Sequence, residues 1–261
     1  MNKNSSTFTF TFAAVMVIIV ATLLASAAIG LKPMQDKNAE LEKKQNILSS
    51  VNILVDRDAA EKAYNDYIVE RLVINNKGEV IEGDPFIIDL KQESKKAEDQ
   101  RAYPLFVAQI EGKKYYIIPM RGKGLWGPIW GYLALEDDFN TIYGVSFDHK
   151  GETPGLGAEI ATAEFQKQFK GKKIMDNNGG FVSVKIVKGG GAADNPHGFD
   201  GISGGTITSV GLSNMLENTL ANYIAYFKSK ANTVNQEEIT SEIQSNENEI
   251  KNDTTAVVTT N

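Results

Sequence analysis

The first feature of the chain is a long apolar run near its beginning. No charged residue occurs between Asn4 and Leu31, and a lysine stands on either side of this stretch. About 20 apolar residues are enough to span a bilayer, so the pattern predicts one transmembrane helix over residues 8–31. The alternative is a cleaved signal peptide, because the small residues 25–27 resemble a cleavage site.

Beyond this run, the hydrophobic pattern predicts a series of short elements. Residues 32–50 are charge-rich with apolar residues interspersed, which is typical of a helical connector. Helical spacing recurs farther along at residues 58–67, 161–169 and 210–227, and residues 91–101 form a polar loop. Short apolar runs bounded by turn residues predict strands at 69–74, 80–81, 105–110, 115–120, 132–135 and 142–147. Alternating apolar and polar residues predict a further strand at 181–187. This order indicates an α+β fold, a mainly antiparallel sheet with flanking helices, behind one N-terminal transmembrane helix.

Composition divides the chain further and excludes several kinds of function. From residue 229 acidic and small polar residues dominate and aromatic residues disappear, which predicts a disordered acidic tail. The predicted organisation is a cap (1–7), a transmembrane helix (8–31), a connector (32–50), a globular domain (51–228) and the tail (229–261). A net charge of −6 gives no reason to expect a nucleic-acid partner. No cysteine is present, and the two histidines, His149 and His197, leave little material for a metal site or a catalytic triad.

A glycine-rich turn at residues 200–209 leads directly into the last predicted helix. Thr206 is expected just before that helix, where backbone N–H groups have no helical partner. Such a turn suits an anionic group, because the free donors and the helix dipole favour phosphate and the glycines allow close approach. The alternative is that this Ser/Thr cluster merely caps the helix.

Two further glycine-rich stretches could contribute to a binding site. In residues 121–132, Leu125 and Trp126 could form a platform for a flat ring or a partner protein, unless the tryptophans only fill the core. In residues 149–157, a Pro-Gly turn follows Thr153, and the threonine with nearby N–H groups offers hydrogen-bond donors.

The three motifs together resemble a known family. Gly-Leu-Trp (124–126), Glu-Thr-Pro-Gly-Leu-Gly (152–157) and Asp-x-x-Ser-Gly-x-Thr (200–206), behind one membrane helix, are similar to the C subunit of Na+-translocating NADH:quinone reductases. The related G subunit of Rnf electron-transport complexes is the alternative. The resemblance covers about residues 8–228 and implies FMN joined to Thr206 by a phosphoester bond. A flavin transferase would attach it, and Thr208 is the competing residue.

The same resemblance implies the rest of the site. Gly205 departs from the family, which usually has alanine there. The implied flavin-binding residues, besides Thr206 and with no catalytic or metal-binding residue among them, are Leu125, Trp126, Glu152, Thr153, Gly155, Leu156, Gly157, Asp200, Ser203, Gly204, Gly205, Ile207 and Thr208.

The implied role is an electron relay in a complex of six subunits in the bacterial inner membrane, with the domain on the extracytoplasmic side. Lysines that follow the predicted span would, by the positive-inside rule, favour the cytoplasmic side. A different class of function also stays open: a membrane-anchored binding module without enzymatic activity, whose tryptophan-rich loop docks a partner.

Overall fold

A computed structural model of the chain describes residues 6–187 and 189–231. Its first element is one continuous helix, α1 (Ser6–Ser50), which is about 67 Å long at 1.5 Å per residue. The predicted transmembrane helix and connector are therefore parts of a single helix, and the predicted cap is helical from Ser6 onward. Within the described part of the chain, α1 is the one helix that is long and apolar enough to cross a membrane, and its apolar half is exposed.

The end of α1 belongs to the globular domain. Ile47 and Leu48 are fully buried against the sheet, beside the helix that follows. A six-stranded antiparallel sheet then forms in the order β2-β1-β3-β4-β5-β6. In chain order these elements are α2 (Arg57–Tyr67), β1 (Ile68–Ile74), β2 (Val80–Ile81), α3 (Leu90–Glu93), β3 (Tyr103–Ile110), β4 (Lys113–Lys123), β5 (Pro128–Leu135) and β6 (Ile142–His149).

The sheet separates two apolar cores. In β5, Tyr132 and Ala134 pack in the cluster that contains the end of α1, whereas Leu133 and Leu135 pack in the cluster beneath the last helix. This alternation follows from the two-residue period of a strand. The second face is covered by α4 (Ala163–Gln166), the short parallel pair β7 (Lys185–Val187) and β8 (Gly198–Asp200), and α5 (Thr206–Leu220).

Several predicted elements differ in detail. The strand predicted over 181–187 is wrong for most of its length, because Ser183 has a φ of 61° and only Lys185–Val187 forms a strand. The helix predicted over 161–169 is α4 between two 3₁₀ turns, and the polar loop 91–101 contains the end of α3 and a 3₁₀ turn.

The last helical segment reaches farther in both directions than predicted. Because α5 begins at Thr206, this residue is the first of the helix and does not precede it. Helical structure continues through a 3₁₀ turn to residue 231, and residues 232–261 of the predicted acidic tail lie outside the described residues.

Candidate functional site

Three glycine-rich segments converge at one end of the sheet. They are the turn between β4 and β5, the loop after β6 and the start of α5, and they enclose a cavity of about 250 Å³. All of its lining residues are among those that the sequence analysis named: Leu125, Trp126, Glu152, Thr153, Leu156, Gly157, Gly204, Gly205, Thr206, Ile207 and Thr208.

Glycines allow this convergence. A Cβ atom at Gly211 of α5 would collide with the carbonyl oxygen of Lys123 in β4. A Cβ atom at Gly122 would lie 2.7 Å from the Cβ of Met215. A side chain at either glycine would hold α5 away from β4. The helix therefore packs closely enough to bring its first residues to the turn that carries Leu125 and Trp126.

Thr206 lies at the mouth of the cavity with its hydroxyl available. Thr206 is exposed. The N-cap residue of α5 is Gly205, and no side chain among the described residues caps the helix. The alternative interpretation, in which the Ser/Thr cluster only caps the helix, is therefore wrong. Ser209 instead donates to the Gly205 carbonyl (3.0 Å) and accepts from the Ile202 N–H (3.0 Å). No hydrogen bond engages the Thr206 hydroxyl in the described part of the chain, and first-turn N–H groups lack helical partners.

Thr208 is in a very different environment from Thr206. It is 1% exposed, and its hydroxyl donates to Oε2 of Glu152 at 2.5 Å. This hydroxyl is therefore buried and occupied by an internal hydrogen bond.

Glu152 forms the floor of the cavity. It is 4% exposed and also accepts from the backbone N–H groups of Trp126 (2.9 Å) and Leu125 (3.3 Å). Burial by itself raises the pKa of this carboxyl, but the Thr208 hydroxyl and these N–H donors outweigh burial and lower the pKa overall. Its own N–H donates to Nδ1 of His149 (3.2 Å), which gives that histidine a structural role.

Three predicted residues do not line this cavity. Asp200, in β8, accepts from the N–H of Ala192 (3.0 Å) and so holds the neighbouring loop. Ser203 is exposed and, with Thr206, lines an adjacent cavity. Gly155 has a φ of +75° at the exposed tip of its loop, which is a conformation that glycine adopts at little cost.

Gly205 fits its position. A Cβ atom there would lie 2.9 Å from Cγ2 of Ile202 and 3.2 Å from the backbone of Leu156, so alanine would be crowded in this chain. Its N–H donates to the Ile202 carbonyl at 3.0 Å, which restrains the backbone just before Thr206.

The tryptophan-rich turn presents an apolar surface beside the cavity. Trp126 is 70% exposed and Leu125 is 47% exposed, so the core-filling alternative is wrong for Trp126, while Trp130 is half-buried. Sequence reasoning missed Ser209, which clamps the turn before α5. Its position one helical turn after Gly205 was the available signal.

Sequence similarity to known proteins extends over most of the chain. The model of the FMN-binding domain family matches residues 124–221. The C subunit of the Na+-translocating NADH-quinone reductase from Haemophilus ducreyi is 34% identical over 253 residues, which cover 88% of this chain and 97% of that protein. The chain belongs to the C-subunit family of these reductases. This membership confirms the resemblance stated from the three motifs and favours this family over the Rnf alternative.

Other members of the C-subunit family agree. The protein from Neisseria meningitidis serogroup A is 35% identical over 214 residues, covering 75% of this chain and 82% of that protein. The crystal structure of the C subunit from Parabacteroides distasonis matches with a TM-score of 0.71 and 45% identity, covering 76% of this chain and 96% of that one. The crystal structure of NqrC from Shewanella oneidensis matches with a TM-score of 0.65 and 28% identity, covering 74% of this chain and 97% of that one. These matches confirm the predicted α+β fold.

Proposed function

We propose that the protein is the membrane-anchored electron-relay subunit of a Na+-translocating NADH:quinone oxidoreductase and carries FMN esterified to Thr206. The observation that carries this proposal is the exposed Thr206 hydroxyl, unpaired among the described residues, at the first position of α5 and on the edge of the cavity. The region matched by the FMN-binding family begins at Gly124 and ends just past α5, so it contains all three segments that form the cavity.

The residues present fit FMN in their chemistry. A phosphate on Thr206 would lie at the positive end of α5, beside N–H groups that have no helical partner. Leu125, Trp126, Leu156 and Ile207 offer an apolar surface for the ring, and each is at least 40% exposed. Bound FMN supplies the one-electron chemistry, and the protein holds and orients it.

This role requires neither a nucleophile nor a general base from the chain. The three threonines and the carboxylate at the cavity therefore need only hold the group and shape its surroundings. The exposed residues at the cavity would leave one edge of a bound ring accessible to a redox partner.

The proposal includes an assembly and a location. The partners would be the other members of a complex of six subunits, and a flavin transferase would act during maturation on the segment that contains Asp200 and Thr206. The domain would face the extracytoplasmic side of the bacterial inner membrane, anchored by α1. Protease added to intact spheroplasts should then degrade the domain, and complete protection would contradict this orientation.

Peptide mass spectrometry of the full chain, co-expressed with a flavin transferase, tests the attachment. The peptide containing Thr206 should carry one FMN-sized increment, and the denatured chain should fluoresce in a gel. Thr206→Val should abolish both signals, whereas Thr208→Val should keep them because the Thr208 hydroxyl is buried. Flavin on Thr208, or no flavin at all, would refute the proposal. The absence of flavin would support the alternative of an anchored binding module. The exposed Trp126 side chain, which could contact a partner, favours that alternative.

A further inference from the structure

The carboxylate of Glu152 is a buried charge without a cationic partner. It forms no ion pair with any lysine, arginine or histidine in the described ranges, and its hydrogen-bond donors are a hydroxyl and backbone N–H groups. A buried carboxylate usually has a cation or several donors to offset its loss of hydration. Here neutral donors stabilise the charge without cancelling it.

Two glycines seal this carboxylate into the floor of the cavity. A Cβ atom at Gly124 would lie 2.6 Å from Oε1 of Glu152, and one at Gly157 would lie 2.6 Å from Oε2. Both neighbouring segments therefore pack on the carboxylate itself, and little room remains for water around it. A charge in such surroundings acts over a longer distance than one in solvent, because it is screened less.

We propose that Glu152 sets the reduction potential of the flavin: its fixed negative charge at the cavity floor opposes reduction of the ring and so lowers the potential. This inference rests on the proposed function. Reduction adds electrons to the ring, and a nearby negative charge makes that addition less favourable. By binding both the turn at Trp126 and Thr208 of α5, the same carboxylate also positions two walls of the cavity, so it is a positioning residue and takes no part in bond making.

The test uses the full membrane-anchored chain, co-expressed with a flavin transferase, in the wild type and three variants. Glu152→Gln removes the charge and nearly keeps the shape, whereas Glu152→Asp keeps the charge and shortens the side chain. Glu164→Gln is the matched control, because it removes a carboxylate that is 87% exposed. Mass spectrometry first measures FMN on the Thr206 peptide, and a spectroelectrochemical titration then gives the potential.

The expected result is an upward shift in Glu152→Gln alone. The equilibrium between oxidised and reduced flavin should change at least tenfold in that variant, which is about 59 mV for one electron. Glu152→Asp and Glu164→Gln should stay within about threefold of the wild type, since the charge at the cavity is kept in both.

Each other outcome overturns the inference. An unchanged potential in Glu152→Gln would show that the charge does not act on the ring. Equal shifts in the Gln and Asp variants would show that geometry, and not charge, matters. Loading of FMN in the Asp variant but not in the Gln variant would assign the carboxylate to flavin attachment instead. Failure of the proposed function is distinguished from all of these, since the wild-type peptide itself would then carry no FMN.

Discussion

Gly157→Ala is the most direct test of how the cavity floor is packed. A Cβ atom at residue 157 would lie 2.5 Å from Oγ1 of Thr208 and 2.6 Å from Oε2 of Glu152. Real Cβ contacts are almost never this short, so both side chains, or the backbone of residue 157, must move. Neither moves freely, because the carboxylate is held by backbone N–H groups and Thr208 is fixed in the first turn of α5.

The cost follows from these contacts. Inserting a methyl group into a packed site usually costs about 1–3 kcal/mol. Separating the Thr208 hydroxyl from the carboxylate removes a hydrogen bond to a charged group, which is worth roughly 1.5–3 kcal/mol. Together these contributions predict that Gly157→Ala destabilises the domain by about 2.5–6 kcal/mol. For a domain of this size each kcal/mol lowers the melting temperature by roughly 2–4 °C.

Gly151→Ala in the same loop is the matched control. No heavy atom lies within 4 Å of a Cβ at that position, and its backbone is not in the left-handed region. Urea denaturation should place Gly151→Ala within about 0.5 kcal/mol of the wild type. Equal stability of the two variants would refute the packing described for the cavity floor.

Three further predictions concern two buried hydroxyls and the effect of acid. Tyr223 donates to the carbonyl of Pro104 at 2.7 Å, so Tyr223→Phe should cost about 1–3 kcal/mol in urea denaturation. The buried Tyr103 hydroxyl forms no hydrogen bond of normal geometry among the described residues, although the Arg101 side chain lies near it, so Tyr103→Phe should change stability by less than Tyr223→Phe does. Because the pKa of Glu152 is lowered on folding, its ionised form stabilises the domain above the ordinary carboxyl pKa of 4.5. That stability is lost as the pH falls through the lowered value, so denaturation at acidic pH should bring the wild type and Glu152→Gln closer together.

Most of the fold is accessible to pattern reasoning because its strands are regular. In β5 and β6 the apolar positions repeat every second residue or run continuously through buried sheet, and short turns separate them. The segment 181–187 has the same alternation, yet most of it is not a strand. The left-handed backbone at Ser183 is set by tertiary hydrogen bonds, since both Val182 and Ser183 donate to the carbonyl of Ile174.

The site could be predicted as a set of segments but not as a set of contacts. Glycine spacing and the three motifs identified every residue that lines the cavity. The bond between Glu152 and Thr208 joins residues 56 positions apart, and no local pattern encodes it. The local sequence also does not determine whether the Thr206 hydroxyl is free, because a threonine at the start of a helix often caps it. In the structure Gly205 occupies the cap position.

The contrast between the two threonines would explain why the proposed FMN attachment occurs on Thr206 and not on Thr208. Residues two positions apart on an α-helix point about 200° away from each other, so Thr206 and Thr208 must face opposite sides of α5. The helix packs against the sheet, which buries Thr208 and leaves Thr206 in solvent. The Glu152 carboxylate accepts a hydrogen bond from the buried Thr208 hydroxyl, and this contact holds the carboxylate at the cavity floor. A single contact thus removes the competing hydroxyl and fixes the charge that we propose acts on the flavin.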